Sequence, residues 1–232
     1  MKLTKAQIEE LYIFTRKHYV EYYDVQTELV DHLANDIESI WEEYPNLSFD
    51  EARNKSFKKF GIFGFMDVVN SKESQMTKKY FKLILKFTKQ WFQLPKIILT
   101  IVLFVGFYQL QNIPNADVIY NGVFVCTLLS QIILLIINSR KLKKKFKITK
   151  KKWLFENVIN IQGLGSNALL FFYFFDFPFS HTQDFLVMGD FRKVFSALLI
   201  TFLVIIGYIT LIVIPKKADK LLQETYPEFK LS

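Results

Sequence analysis

Residues 118–152 read VIYNGVFVCTLLSQIILLIINSRKLKKKFKITKKK, an apolar run followed directly by a run of lysines. The apolar part, from Val118 to Ile137, matches the ~20 residues that an α-helix needs to cross a bilayer. The segment that follows, residues 140–152, contains nine basic residues and no acidic one. Basic residues at the end of a transmembrane helix favour the cytoplasmic side. The stretch therefore predicts a membrane span that leads into a cytoplasmic loop.

Three further apolar stretches bring the predicted number of spans to four. They cover residues 95–113, 153–175 and 194–214, and Pro215 is expected to end the last one. The turn at 111–117 has no Lys or Arg, and the loop at 176–193 has three Asp against two basic residues. Both are expected outside, which leaves both termini in the cytoplasm. We predict a multi-pass protein of the cytoplasmic (inner) membrane.

Charge separates an N-terminal region from the rest of the chain. Residues 1–75 carry 14 acidic and 9 basic side chains, whereas residues 76–232 carry 8 acidic and 21 basic ones. The net charge of +8 could indicate nucleic-acid binding. The basic residues flank apolar runs, however, so they indicate the bilayer, and direct nucleic-acid binding is not expected. We predict a cytoplasmic domain at 1–75, an amphipathic helix at 76–94, the spans at 95–215 and a cytoplasmic tail at 216–232.

The N-terminal domain is expected to consist of helices joined by short turns. Thr4–Gln7 and Ser48–Glu51 match the capping box that begins a helix, and apolar periodicity predicts a helix from Asp24 to Glu43. Acidic residues at positions 9 and 10 stand where a secretory signal has its apolar core, so the N-terminus is expected to stay in the cytoplasm. So small a domain buries a modest core and is expected to lean on a partner, a second copy or the membrane.

The amphipathic helix at 76–94 places lysines on one face and aromatic side chains on another. It could continue into the first span as a stalk, but Pro95 favours a break and a helix lying in the headgroup layer. For the lysines of the 140–152 segment, a topology signal is favoured over binding of acidic headgroups, and the two roles are compatible. The residues predicted to lie at the membrane surface are Lys78, Lys82, Lys86, Lys89, Trp91, Lys143, Lys144 and Lys145.

The second predicted helix carries a cluster of ionisable side chains. Glu28, His32 and Asp36 follow one another at intervals of four residues, with Asp31 beside them. A helix would bring the imidazole between two carboxylates, which could hold a divalent metal ion or favour the charged imidazole. Ion pairing around a half-buried His32 is the favoured interpretation, because metal sites need a ligand from a second element and only His18 is at hand. The four residues of the cluster are candidates for partner binding.

The third predicted span carries a row of polar and small residues on one helical face. Its members are Glu156, Asn160, Gly163 and Asn167. They could line a ligand or ion pathway. A packing seam against Thr127, Ser130 and Gln131 of the second span is favoured, because small and amide residues let helices pack closely and only one residue is ionisable. Glu156 is expected to pair with a lysine among residues 150–152.

Motifs that would indicate catalysis or a cofactor are missing from the sequence. It has no Gly-rich phosphate-binding loop, no nucleophile in a recognised setting and no paired zinc ligands. The single cysteine, Cys126, lies in an apolar run and suits a packing role. His181 and three Asp of the outer loop do not form a metal-binding motif, and no internal repeat supports a transporter of inverted repeats. We expect no enzymatic activity, no cofactor and no metal.

The first third of the chain contains YYDVQTELVDHL at 22–33, SFDEA at 48–52 and KFGIFG at 59–64. With these motifs it resembles the N-terminal helical domain of HAAS-type membrane proteins. It departs from the commoner pattern at Phe60–Gly61, where a Leu-Gly pair is usual. In that family a short cytoplasmic helical domain precedes several spans, and the gene often accompanies a PadR-like winged-helix transcription regulator. A related domain precedes some transporter permeases.

These observations predict an all-α protein, with a small cytoplasmic helical domain followed by a four-helix transmembrane bundle. The resemblance implies membrane-linked signalling or regulation, in which the acidic domain binds a PadR-like regulator. The domain's need for support also leaves a homo-oligomer open, and the lipid bilayer is the second expected partner. The alternatives are an accessory subunit of a membrane permease or a small transporter that uses the polar face of the third span.

Overall fold

The computed structural model describes residues 2–161 and 189–226. Helices make up all the regular structure of these residues, with no β-strand among them, so the predicted all-α class is confirmed. In chain order the helices are α1 (Lys5–Lys17), α2 (Tyr23–Glu43), α3 (Phe49–Lys58), α4 (Met66–Trp91), α5 (Lys96–Leu110), α6 (Ala116–Thr149), α7 (residues 154–161), α8 (Asp190–Tyr208) and α9 (Ile214–Thr225). A π-helical turn (Ile209–Val213) joins α8 to α9.

The head, residues 2–75, is built from α1, α2, α3 and the first turns of α4. Helix α2 lies at its centre, in contact with both α1 and α3. Both predicted capping boxes are confirmed, since the Thr4 hydroxyl accepts from the Gln7 N–H and the Ser48 hydroxyl from the Glu51 N–H. The buried stripe of α2 follows the i, i+4 spacing of one helix face. Its most buried members are Leu29, Leu33 and Ile37.

The turn between α3 and α4 exposes two large apolar side chains. Gly61 and Gly64 both have positive φ, 77° and 54°, a conformation that strongly favours glycine. The chain therefore reverses sharply and buries Phe65 against the rings of α1 and α3. Ile62 and Phe63, between the two glycines, are 98% and 71% exposed. We call these two residues the tip of the head.

Helix α4 leaves the head and runs without interruption to Trp91. One face buries apolar residues, and the lysines at 78, 82, 86 and 89 lie on the exposed side. A bend of 86° then separates α4 from α5. The break expected at Pro95 is present, because proline has no N–H to continue the hydrogen bonding of α4. Helix α4 and the first predicted span are therefore not one straight stalk.

Helix α6 is longer than predicted. The segment 140–152 was expected to be a loop, and this prediction is wrong, because α6 continues through the lysines to Thr149. Lys and Leu are good helix formers and the segment contains no Gly or Pro, so the helix continues through residues 140–149. The helix ends only at Lys150, which has a positive φ of 56°. Its 34 residues extend over about 50 Å.

The last apolar helix also continues beyond its predicted end. Pro215 was expected to terminate it, but the chain passes through the π-helical turn and continues as α9 to Thr225. Proline cannot donate to the carbonyl four residues earlier, here that of Leu211, and its ring crowds that carbonyl. The wider π turn accommodates the proline without breaking the rod. The side-chain amide of Asn138 in α6 donates to the freed Leu211 oxygen at 2.9 Å.

Two helices of the described residues are long and apolar enough to cross a membrane, Val118–Thr149 and Asp190–Glu224. Helices α4 and α5 pass the same test together but only as a bent pair. On its own α5 has 15 residues, about 22 Å, which is short of the ~30 Å of a bilayer core. Most of the third predicted span, residues 162–175, lies outside the described residues.

The bundle, α5 to α9, has two chemically different ends. At one end the Gln111 side chain donates to the Lys193 carbonyl (3.0 Å) and the Tyr120 hydroxyl (3.2 Å). The Lys193 ammonium in turn donates to Asn112 at 3.0 Å, so the α5–α6 turn and the start of α8 lie together. At the other end the last turns of α6, the first turn of α7 and α9 meet the head.

Candidate functional site at the junction of the head and the bundle

The head meets the bundle where the first turn of α2 faces the first turn of α7. The Tyr23 N–H donates to the Lys152 carbonyl at 2.7 Å, and the Leu154 N–H donates to Asp24 Oδ1 at 3.1 Å. First-turn N–H groups have no acceptor within their own helix. Each helix start is therefore satisfied by the other segment, and the Lys152–Glu21 ion pair adds a bond at the rim. We call residues 21–24, 152–157 and Tyr226 the junction.

Aromatic rings fill the space around these hydrogen bonds. The buried Trp153 ring lies 5.5 Å from the ring of Tyr23 and 5.5 Å from that of Tyr226, centroid to centroid. The side-chain amide of Asn157, one turn into α7, donates to the Tyr22 hydroxyl at 2.8 Å. The junction thus joins four parts of the chain: the head, the 150–153 connection, α7 and the end of α9. The head therefore packs against one end of the bundle.

Asp24 is the buried acid of the junction, with only 7% of its surface exposed. Burial raises its pKa, and the hydrogen bond from Leu154 and the nearby Tyr226 hydroxyl lower it less than burial raises it. The Tyr226 hydroxyl points to Met76 Sδ at 3.7 Å, and Asp24 Oδ2 has no well-aligned donor within the described part of the chain. Burial, with the negative charge of Asp24 next, also raises the pKa of Tyr226. Burial at the junction therefore makes both groups harder to ionise than they are in water.

A cavity of about 380 Å³ opens between α6, α7, the π-helical turn and α9. At its wall the Lys145 ammonium pairs with Glu156, which is 8% exposed, and with Asp219 at 2.8 Å. The Ser139 hydroxyl donates to Asn160 Oδ1 at 3.0 Å. These bonds tie α6 to α7 and α9. We call this cavity between α6, α7, the π-helical turn and α9 the interhelical cavity.

The polar face predicted in the third span is described only in part. Glu156 and Asn160 line the interhelical cavity, whereas Gly163 and Asn167 lie outside the described residues. The expectation that Glu156 pairs with a lysine of 150–152 is wrong. The helical continuation of α6 carries Lys145 to Glu156 instead.

The residues expected to oppose this face from the second span have other contacts. Gln131 faces α8, where a Cβ added to Gly207 would lie 2.5 Å from its side-chain nitrogen. The hydroxyls of Thr127 and Ser130 donate to carbonyls of α6 itself, at 2.8 and 2.7 Å. Close approach of α6 and α8 at Gly207 is thus one helix seam that the described residues contain.

Two members of the acidic cluster of α2 form ion pairs with lysines outside α2. Glu28 pairs with Lys72 at 2.8 Å and Asp36 with Lys59 at 2.6 Å. The predicted ion pairing of the cluster is present. The expectation that His32 is half-buried is wrong, because the face of α2 that carries His32 is exposed to solvent. The exposed members of the cluster are Asp31 and His32. The described residues contain no group of His, Cys, Asp and Glu that could hold a metal ion.

Six of the eight residues predicted at the membrane surface have exposed side chains: Lys78, Lys82, Lys86, Lys89, Lys143 and Lys144. Their contact with lipid stays a prediction. The other two are engaged within the protein. Trp91 is buried, donates its indole N–H to Thr100 at 3.0 Å and packs against Tyr208. Lys145 forms the ion pairs of the interhelical cavity.

Comparison of the chain with protein families, with characterised proteins and with solved structures gives no match. The resemblance of the head to HAAS-type proteins stays a prediction from its residue patterns.

Sequence patterns did not point to Asp24, Trp153 or Tyr226 as parts of one site. An acidic residue in the first turn of a helix is ordinary, because it interacts favourably with the helix dipole. The hydrogen bond between Asp24 and Leu154 joins residues 130 positions apart, a distance that no local pattern spans. The one local signal was Trp153, an aromatic residue directly after three lysines at the start of a predicted span.

Proposed function

We propose that this chain is a non-enzymatic regulatory or signalling protein of the cytoplasmic membrane, whose head binds a cytoplasmic protein. The proposed spans are the stretch 95–113, which contains α5 and the residues that flank it, then α6, the segment 153–175 and the rod formed by α8, the π-helical turn and the start of α9. The length and hydropathy of α6 and of the last rod support this placement. So does the charge distribution, because the basic end of α6 and the lysines of α9 lie at the end that meets the head.

The observation that carries the regulatory proposal is the reciprocal hydrogen bonding between α2 and α7. Tyr23 donates to the 150–153 connection, and Asp24 accepts from the first turn of α7. Because these bonds join helix starts, a tilt or shift of α7 changes the position of α2. The junction is thus suited to pass a change in the bundle to the head, or a binding event at the head to the bundle.

The tip of the head is the best candidate for partner contact. Ile62 and Phe63 are the most exposed apolar side chains of the turn that joins α3 and α4. Lys58 and Lys59 precede the tip, and Lys59 pairs with Asp36 of α2. The acidic excess belongs to the head as a whole, with 14 acidic side chains against 9 basic ones. An apolar anchor on a net acidic head suits a basic, DNA-binding partner, since opposite potentials steer association. A winged-helix transcription regulator is the partner that the resemblance implies.

An affinity pull-down of the tagged full-length protein from native membranes tests this proposal. We expect a winged-helix regulator to be recovered with the unchanged chain and about tenfold less with Ile62→Ser combined with Phe63→Ser, since a buried aromatic anchor carries much of a small interface. The matched control is Ile13→Ser, which removes another exposed apolar side chain of the head. Equal recovery of permease or ATPase subunits with the unchanged chain and the tip variant would show that the spans carry the interaction.

A further inference from the structure

The interhelical cavity changes character along its length. Positions 134, 138, 141 and 145 of α6 share one helix face and all line the cavity. They read Leu, Asn, Lys and Lys, so the wall passes from aliphatic to basic over about 16 Å of helix. The facing wall repeats this order, because Leu211 and Ile212 precede Lys216. One end of the cavity is therefore apolar, and the other carries three lysines against the carboxylates of Glu156 and Asp219.

Of the three lysines at the basic end, only Lys145 forms ion pairs with the described residues. Lys145 is paired with both Glu156 and Asp219. Lys141 and Lys216 line the same cavity, are exposed, and form no ion pair with the described residues. These two ammonium groups, on opposite walls, are therefore available to an anion.

The apolar end of the cavity is continuous with the outer surface of α6. Ile137 lines the cavity and is also 40% exposed. Its neighbours Ile133 and Ile136 are exposed as well. A chain of methylene groups can thus extend from the cavity along α6 without crossing a polar barrier. A soluble phosphate compound has no group that uses this opening.

We infer that the interhelical cavity binds an anionic phospholipid of the cytoplasmic leaflet, with its phosphate held by Lys141 and Lys216 and its upper acyl chain on the aliphatic wall. Basic pockets between transmembrane helices on the cytoplasmic side suit such headgroups. The volume of about 380 Å³ falls in the range of small-molecule sites, about 300–1,000 Å³. The inference rests on the membrane placement of the proposed function. Residues of α7 line the cavity, and α7 begins at the junction. Binding of a lipid in the cavity is therefore expected to change the position of the junction residues.

Lipid titration of the full-length protein in a neutral detergent tests the inference. Phosphatidylglycerol, phosphatidylcholine and inorganic phosphate are each added while the thermal midpoint is recorded, since a ligand that binds only the native state stabilises it by RT ln(1 + [L]/Kd). We expect the midpoint to rise with the logarithm of the phosphatidylglycerol concentration above its Kd, and not to rise with the other two compounds. Lys141→Gln combined with Lys216→Gln should weaken the affinity for phosphatidylglycerol about 30-fold, since each lost lysine contact costs about 1 kcal/mol.

The matched control is Lys17→Gln combined with Lys58→Gln, which removes the same charge from exposed positions of the head that do not line the cavity. This control keeps the affinity of the unchanged chain. Ala218→Phe fills the cavity without changing charge and abolishes the response. Equal effects of the cavity and control variants, equal effects of the two lipids, or full competition by inorganic phosphate each overturn the lipid site.

Extraction of the membranes with alkaline carbonate separates this failure from that of the proposed function. A chain that leaves the membrane pellet contradicts the membrane placement itself. A chain that stays in the pellet but shows no preference for phosphatidylglycerol overturns the lipid site alone.

Discussion

Asp24 lies where a helix start attracts negative charge and burial opposes it. The free N–H groups at the start of α7 favour a carboxylate by up to about 1–2 kcal/mol. Removal of the same carboxylate from water disfavours its charge. Its raised pKa shows that burial outweighs the bond from Leu154. The docked head therefore holds a proton on Asp24 more readily than an undocked head, in which this side chain is in water.

The sign of the pH dependence follows from this shift. Because the pKa of Asp24 is raised in the folded protein, the folded state binds more protons between the unfolded and folded pKa values. The contribution of Asp24 to stability is thus greatest at low pH and is lost as the pH rises through the folded pKa. We expect the thermal midpoint of the full-length protein to fall relative to that of Asp24→Asn over this range. Asp31→Asn, an exposed carboxyl of the same helix, should follow the unchanged chain.

The hydrogen bond of Asp24 is tested by a second substitution at the same position. Asp24→Ala leaves the Leu154 N–H without its acceptor, which costs about 1–3 kcal/mol. Asp24→Asn keeps an acceptor oxygen and should lose less. Two results would contradict the role given to this carboxylate. One is a difference in thermal midpoint between the unchanged chain and Asp24→Asn that does not vary with pH. The other is equal stability of the Asp24→Ala and Asp24→Asn variants.

At the scale of single elements, Pro215 determines the shape of the last rod together with a residue of another helix. The Leu211 carbonyl that proline leaves free accepts from the Asn138 amide at 2.9 Å. This bond also fixes α6 against the π-helical turn beside the interhelical cavity. Asn138 and Pro215 should therefore act as a unit.

A double-mutant cycle tests this coupling. Asn138→Leu leaves a buried carbonyl without a donor and should lower stability by about 1–3 kcal/mol. Pro215→Ala restores an N–H that can reach the Leu211 carbonyl, so the same Asn138→Leu change should cost less in that background. Thermal unfolding of the four proteins in detergent gives the coupling energy. Additive costs would mean that the asparagine and the proline act separately.

Element starts were easier to predict than element ends. The capping boxes at Thr4 and Ser48 are local signals, with donor and acceptor three residues apart, and both helices begin there. The ends of α6 and of the last rod were predicted from charge and from Pro215, and both helices continue. Charge signals membrane orientation without stopping a helix, and a proline is tolerated where a wider turn and an outside donor accommodate it.

At the scale of the whole molecule, the head lies at the same end of the bundle as the basic segment 140–152 and the basic start of the tail at 216–220. The 150–153 connection and Tyr226 of the tail both contact the first turn of α2. Sequence reasoning expected these segments on one side from the positions of lysines. It could not predict that they hold the head, because the contacts join residues more than 100 positions apart, as between Asp24 and Leu154.

Cysteine labelling of intact cells tests the proposed orientation. In a Cys126→Ser background, single cysteines replace Ile113 and Phe191 at one end, and Lys17, Lys147 and Lys220 at the other. A membrane-impermeant maleimide should label the first two in intact cells and the other three only after disruption. The background without cysteine is the control. Labelling of positions 113 and 147 from the same side would mean that α6 does not cross the membrane, because α6 separates these positions by about 50 Å.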